Sequence, residues 1–194
     1  MAPWLVYLKD SVADLHLTMR SASSPNGAVA VHQEASQLRA TWSGADKGEI
    51  RIGGRAVDLR PVLRDAGALM LRYRVESRPL QPVYIGMRCD APYRVRQVTV
   101  VDAEKLRWTH CDTQTGAMID ATAGFVTAQL GSWQTLTIPL ACFADMRADL
   151  SNVSAQLALE TAGRFDLAIS EISLVRHSLP VTCPMSTTVA GHDG

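Results

Sequence analysis

The chain has 194 residues, with 19 basic and 19 acidic side chains and a formal net charge of zero. That balance argues against a nucleic-acid or anionic-membrane surface, and no apolar run reaches the roughly 20 residues of a membrane-spanning helix. The N-terminus lacks the basic head, apolar middle and small-residue cleavage site of a signal peptide.

In chain order, alternation of apolar and polar residues predicts a series of short strands. Trp4 to Leu8 and Leu15 to Met19 give two, and residues 21 to 27, with Pro25 and Asn26-Gly27, give a loop. Val29 opens an element that leads through His32 and Glu34 into Leu38 to Gly44. Ile50 to Ile52 is a strand ended by two glycines. Asp58 to Gly67 reads as one or two helical turns, opened by Asp58 and stopped by Gly67. Two strands follow, with Leu69, Leu71, Tyr73 and Val75 on one face of the first and Val83, Ile85 and Met87 on one face of the second. A turn with Pro79 and Pro82 joins them, so they are predicted to pair as an antiparallel hairpin. Residues 98 to 101 read as a strand, 102 to 108 as a helical turn, and 118 to 130 as turn and short helix.

The clearest alternation follows Gly131-Ser132, where Leu136, Ile138 and Leu140 oppose Thr135 and Thr137. Trp133 sits at the mouth of this strand, where an indole can be half buried, and reads with Trp42 as core or rim rather than as a stacking platform. Pro139 removes a backbone donor, which requires an edge strand or a bulge. Cys142 reads as a buried apolar thiol, and Asp145 to Leu150 as a loop. Leu157 to Thr161 and Phe165 to Leu174 are two further strands around Ala162-Gly163. The pattern is that of an all-β sandwich over residues 1 to 176, with one or two short helical turns. Residues 177 to 194 lack periodicity and are expected to be a loose or disordered tail.

Catalytic motifs are weak: there is no Gly-x-Ser-x-Gly, no phosphate-binding Gly-rich loop and no His-Glu-x-x-His, and the Asp and Glu residues scattered through loops leave a glycosidase carboxylate pair open. None of the five histidines has an evident nucleophile partner in the sequence. The four cysteines form no Cys-x-x-Cys pair, and a disulfide between Cys89 and Cys111 would staple residues 90 to 110 in an oxidising compartment. Asp145 with Asp149, or Glu34 with Glu171 near strand ends, are weak candidates for holding calcium; no other cofactor is indicated. The predicted hairpin brings Arg72, Arg74, Tyr84 and Arg88 onto one polar face. Flat aromatics and bidentate guanidinium groups suit sugar recognition, so these four and Trp108 are the candidate ligand contacts. The same face also reads as solvated sheet or as a surface that docks on another domain.

Several stretches, in order, resemble a known family. They are Gln33-Glu34-Ala35, Thr41-Trp42-Ser43-Gly44, Val57-Asp58-Leu59-Arg60, Leu71 to Val75, Gly86 to Cys89, Trp133 to Phe143, and Ala148-Asp149-Leu150. Together they are similar to the C-terminal module of bacterial glycoside hydrolase family 3 exo-1,3/1,4-β-glucanases (1,4-β-D-glucan glucohydrolases), over residues 4 to 176. The resemblance implies a galactose-binding-like jelly roll of the carbohydrate-binding-module type. It implies a non-catalytic accessory role beside the catalytic domains of a parent β-glucosidase, with β-glucan or gluco-oligosaccharide as ligand. The family's nucleophile and acid/base have no counterpart here, and no catalytic residue is carried over. A parent of this kind is exported, so the periplasm or the extracellular space is the expected location. The alternatives are a docking domain without sugar affinity and a stand-alone carbohydrate-active enzyme.

Overall fold

The computed structural model describes residues 4–5, 18–19, 21–23, 28–34, 37–44, 46–88, 118–146, 148–176 and 183; of residues 33, 34, 54–56 and those before 28, the backbone alone is described. The described residues form twelve strands and three short helices. The strands are β1 (Trp4–Leu5), β2 (Thr18–Met19), β3 (Ser21–Ser23), β4 (Val29–Glu34), β5 (Gln37–Trp42), β6 (Gly48–Val57), β7 (Gly67–Ser77), β8 (Tyr84–Arg88), β9 (Met118–Asp120), β10 (Trp133–Pro139), β11 (Val153–Thr161) and β12 (Phe165–Arg176). The helices are α1 (Arg60–Arg64), α2 (Thr122–Val126) and α3 (Leu140–Asp145).

Strands β10-β7-β12-β5-β4 form one antiparallel sheet and β3-β6-β11-β8-β9 a second, with β1 and β2 paired apart. The expected all-β sandwich is what the chain forms. Its core is made by the inward residues of each strand: Leu69, Leu71, Tyr73 and Val75 of β7 face the interior along with Ile85 and Met87 of β8 and Ile50 and Ile52 of β6. An aromatic chain crosses it. Trp42 lies 5.3 Å from Phe165, Phe165 lies 5.6 Å from Phe125, and Phe125 meets the Tyr73 ring edge-on at 4.9 Å. The buried Trp42 indole donates to the Gly48 carbonyl at 2.9 Å, so its one polar atom is satisfied.

Strand β10 is an edge strand, as Pro139 requires, and Gly131 supplies the turn before it at φ +71°. Helix α1 forms where one was expected, with Asp58 accepting from the Arg60 amide at 3.0 Å. Five expectations are corrected. Residues 21–23 are a strand paired with β6, not loop. Residues 118–120 are a strand paired with β8, while the short helix expected in this stretch forms at 122–126. Leu140 does not extend β10 but begins α3, which runs to Asp145. Cys142 is no free thiol: it is disulfide-bonded to Cys183, so that point of the tail is tied to α3.

The fifth correction matters most for function. Strands β7 and β8 are not a hairpin but belong to opposite sheets, β7 between β10 and β12, and β8 between β11 and β9. Alternation states that each strand has one buried face; it does not state whether two such faces lie side by side or meet across a core. Here the connection crosses from sheet to sheet, held where Thr161 Oγ1 donates to the Pro82 carbonyl at 2.9 Å. Among the described residues, no helix is long and apolar enough to cross a membrane.

Candidate functional site

Because β7 and β8 lie in different sheets, the four residues expected on one face divide between the two outer surfaces. Arg72 and Arg74 project from the first sheet; Tyr84 and Arg88 project from the second. Trp108, Cys89 and Cys111 lie outside the described residues, as does the Glu34 side chain.

On the second sheet, Arg88 is committed to a clamp. Its Nε donates to Glu49 at 2.8 Å, and Arg51 Nε donates to the same carboxylate at 3.2 Å. The side chains of Arg88 and Glu49 are only 11% and 12% exposed. Burial pushes the Glu49 carboxyl up, but hydrogen bonds from Arg51 and Arg88 outweigh it and hold the group below its ordinary range. These charges hold β6 to β8 across β11, and the pattern is structural. Tyr84 stands on the same face, register-paired with Glu160 and Asp120.

The outer face of the first sheet is built differently. One register row crosses all five strands: Trp133, Arg74, Ala168, Arg39 and His32. Trp133 sits half buried on the edge strand, with the Arg74 guanidinium 4.8 Å and the Arg72 guanidinium 5.7 Å from its ring centroid. Arg74 is fixed by Glu76 at 2.6 Å, and it reaches over β12 to Gln37 at 3.5 Å. Arg39 is held by Asp166 through two hydrogen bonds, at 2.6 and 3.1 Å. Arg72 is exposed and has no ion pair among the described residues.

The next row places Thr135, Arg72 and Glu171 side by side. Glu171 was a candidate calcium ligand, yet among the described residues no group of three or more acidic, His or Cys side chains gathers to hold a metal. Asp149 is taken up by the amide and hydroxyl of Ser151, at 2.9 and 2.6 Å. The sequence reading missed Trp133 as a member of this face. The signal was present, since Trp133, Thr135 and Thr137 share one parity, but that parity was read as the wetter side of a strand rather than as a surface shared with Arg72 and Arg74.

A site of one half-buried indole, two guanidinium groups and a carboxylate on a sheet surface contains the parts that hydrogen-bond and stack on a polyhydroxylated ring.

Comparison with known proteins agrees on the fold. A family model, Exop_C, described as galactose-binding domain-like, matches residues 2–174. No curated protein sequence matches significantly. Among solved structures, a family 30 carbohydrate-binding module aligns at 17% identity over 91% of this chain and all of the other, with a TM-score of 0.56. The structure of PfGH50B aligns at 12% identity over 82% of this chain, TM-score 0.53, and the chain spans only 22% of that protein's length. The extra C-terminal domain of an exo-1,3/1,4-β-glucanase from a Pseudoalteromonas species aligns at 17% identity over 94% of this chain and 82% of the other, TM-score 0.45. With nearly its whole length matched, the chain belongs to the Exop_C family of galactose-binding domain-like modules.

Proposed function

We propose that the chain is a non-catalytic accessory module of a larger exported glycosidase, and that it binds β-glucan or gluco-oligosaccharide on the outer face of the first sheet. The observation that carries this reading is Trp133, half buried on the edge strand beside Arg72 and Arg74, with Glu171 one strand further in. An aromatic ring presented at a sheet surface with planar donors and an acceptor around it suits a pyranose. Membership in a galactose-binding-like family and the likeness of fold to a carbohydrate-binding module support it. Tyr84 and Arg88 are not part of this site, because they stand on the opposite surface.

A second reading has its own observation. Leu80 is 72% exposed, and Leu130 and Val126 are also exposed at the same end of the sandwich, near the β7–β8 connection. Exposed apolar side chains of this kind suit docking against another domain.

Calorimetric titration with cello- and laminari-oligosaccharides separates the two. Saturable binding that is lost in Trp133→Ala and kept in Arg88→Ala supports the sugar site. Binding that depends on Arg88 and not on Trp133 moves the site to the second sheet. No binding in the unaltered protein leaves docking as the function.

A further inference from the structure

We infer that Arg72 and Glu171 are the polar readers of the bound sugar and that Glu171 restricts the site to uncharged glycans. This rests on the sugar-binding reading above. Among the described residues, the outer face of the first sheet carries three neighbouring pairs of opposite charge. Arg39 with Asp166 and Arg74 with Glu76 are closed, each at 2.6 Å. Arg72 and Glu171 are direct register partners on adjacent strands, yet no ion pair closes between them. Opposite charges at such positions ordinarily meet. Here the Arg72 guanidinium leans instead toward Trp133. Arg74 and Arg72 both lie beside the indole, at 4.8 and 5.7 Å, but Arg74 is closed by Glu76, so Arg72 and Glu171 are the pair that offers an open donor and acceptor at neighbouring positions.

The backbone of β12 is shaped to present this carboxylate. Ile169 and Ile172 are both buried in the core, although their spacing of three would set them on opposite faces of a regular strand. A register shift between Ile169 and Glu171 resolves the conflict. Ahead of it the even-numbered Asp166 and Ala168 face outward, and beyond it Glu171 does. A bulge of this kind re-aims side chains and recurs beside binding sites. The hydroxyls of Ser170, within the bulge, and of Ser173, beyond it, are buried without a hydrogen-bond partner among the described residues.

The ligand class follows from the chemistry. A guanidinium that donates and a carboxylate that accepts, side by side, match two neighbouring hydroxyls of a neutral sugar. A uronate or sulfate group at the acceptor position would meet the Glu171 charge, and that charge also offsets the Arg72 cation that would otherwise draw an anion to the site.

The test titrates the folded chain with cellotetraose, as the neutral probe, and with tetragalacturonate, as the acidic one. Thermal melting of each variant serves as the control for folding. The unaltered chain is expected to bind the neutral probe and not the acidic one. Arg72→Ala and Glu171→Ala each weaken neutral binding by about tenfold, the scale of one lost charge-assisted hydrogen bond. Glu171→Gln keeps neutral binding within a few-fold and brings in measurable binding of the acidic probe. If Trp133→Ala abolishes neutral binding while Arg72→Ala and Glu171→Ala leave it unchanged, this inference fails and the sugar site stands. Equal binding of both probes by the unaltered chain also overturns it. Failure to bind either probe removes the sugar site itself.

Discussion

The Tyr73 hydroxyl donates a 2.8 Å hydrogen bond to the Gly124 carbonyl, joining the centre of β7 to helix α2. Two further bonds fix the same helix: Thr122 Oγ1 accepts from the Val83 amide, and Asp120 accepts from the Thr122 amide, both at 2.9 Å. A helix of five residues has no stability of its own, so these anchors and the burial of Phe125 hold it. The residues after α2 run directly into Trp133. Burial raises the Tyr73 pKa, so the phenol stays protonated and able to donate. Tyr73→Phe keeps the ring contact with Phe125 and removes only the bond. It should lower stability by about 1 kcal/mol, read as a drop in the denaturation midpoint. A midpoint equal to that of the unaltered protein would show that Gly124 finds another donor.

The Cys142–Cys183 bond closes a sequence separation of 41 residues. Cross-linking over that span stabilises by about 4 kcal/mol in the chain-entropy account, which corresponds to a melting shift on the order of 10 °C for a domain of this size. The double variant Cys142→Ala/Cys183→Ala is expected to show that loss. Such bonds persist in oxidising compartments, in keeping with the exported setting proposed above. Non-reducing digestion followed by mass spectrometry should recover one linked peptide pair containing both cysteines. Recovery of Cys142 as a free thiol in secreted protein would refute the staple.

What the sequence made legible was what local pattern controls. Pro139 placed β10 at an edge, Gly131 placed its turn, and alternation in β7 sorted Leu69, Leu71, Tyr73 and Val75 inward from Arg72 and Arg74. What stayed hidden depends on contacts between distant segments. The partners of β7 are β10 and β12, some sixty and a hundred residues onward, and nothing in its own alternation distinguishes them from β8. The outward turn of Glu171 depends on one extra residue in β12, and a bulge reads in sequence as a simple break of parity. Cys142 and Cys183 carry no spacing signal, because a disulfide needs only that two backbones approach in the fold.

Gly53 marks a place where two strands come too close for any side chain. A Cβ there would press into the Ser154 carbonyl oxygen and stand 2.6 Å from the Ala155 Cα. Both neighbours are backbone, at the register shift in β11, and cannot rotate away. Gly53→Ala should therefore cost about 3 kcal/mol, the upper part of the range for overpacking. A urea titration measures it. A change smaller than that of an exposed control such as Gly131→Ala, which meets only backbone strain and no atom within 4 Å, would show that β6 and β11 can part.

Glu49, clamped between Arg51 and Arg88, gives the fold a definite response to acid. Its folded pKa lies below the ordinary value of 4.5, so the folded chain binds fewer protons at this site than the unfolded one. The stabilisation is therefore complete above pH 4.5 and is lost as the pH falls through the lower, folded value. Glu49→Gln removes the titrating group and the carboxylate that Arg51 and Arg88 share. At neutral pH it should destabilise by about 2 kcal/mol, more than an exposed ion pair contributes. On acidification, the gap between variant and unaltered protein should narrow, because protonation abolishes in one chain what substitution has already removed from the other. Urea midpoints measured at neutral pH and in steps below pH 4.5 test this directly. Parallel curves for the two proteins would mean that the clamp is not the source of the acid response.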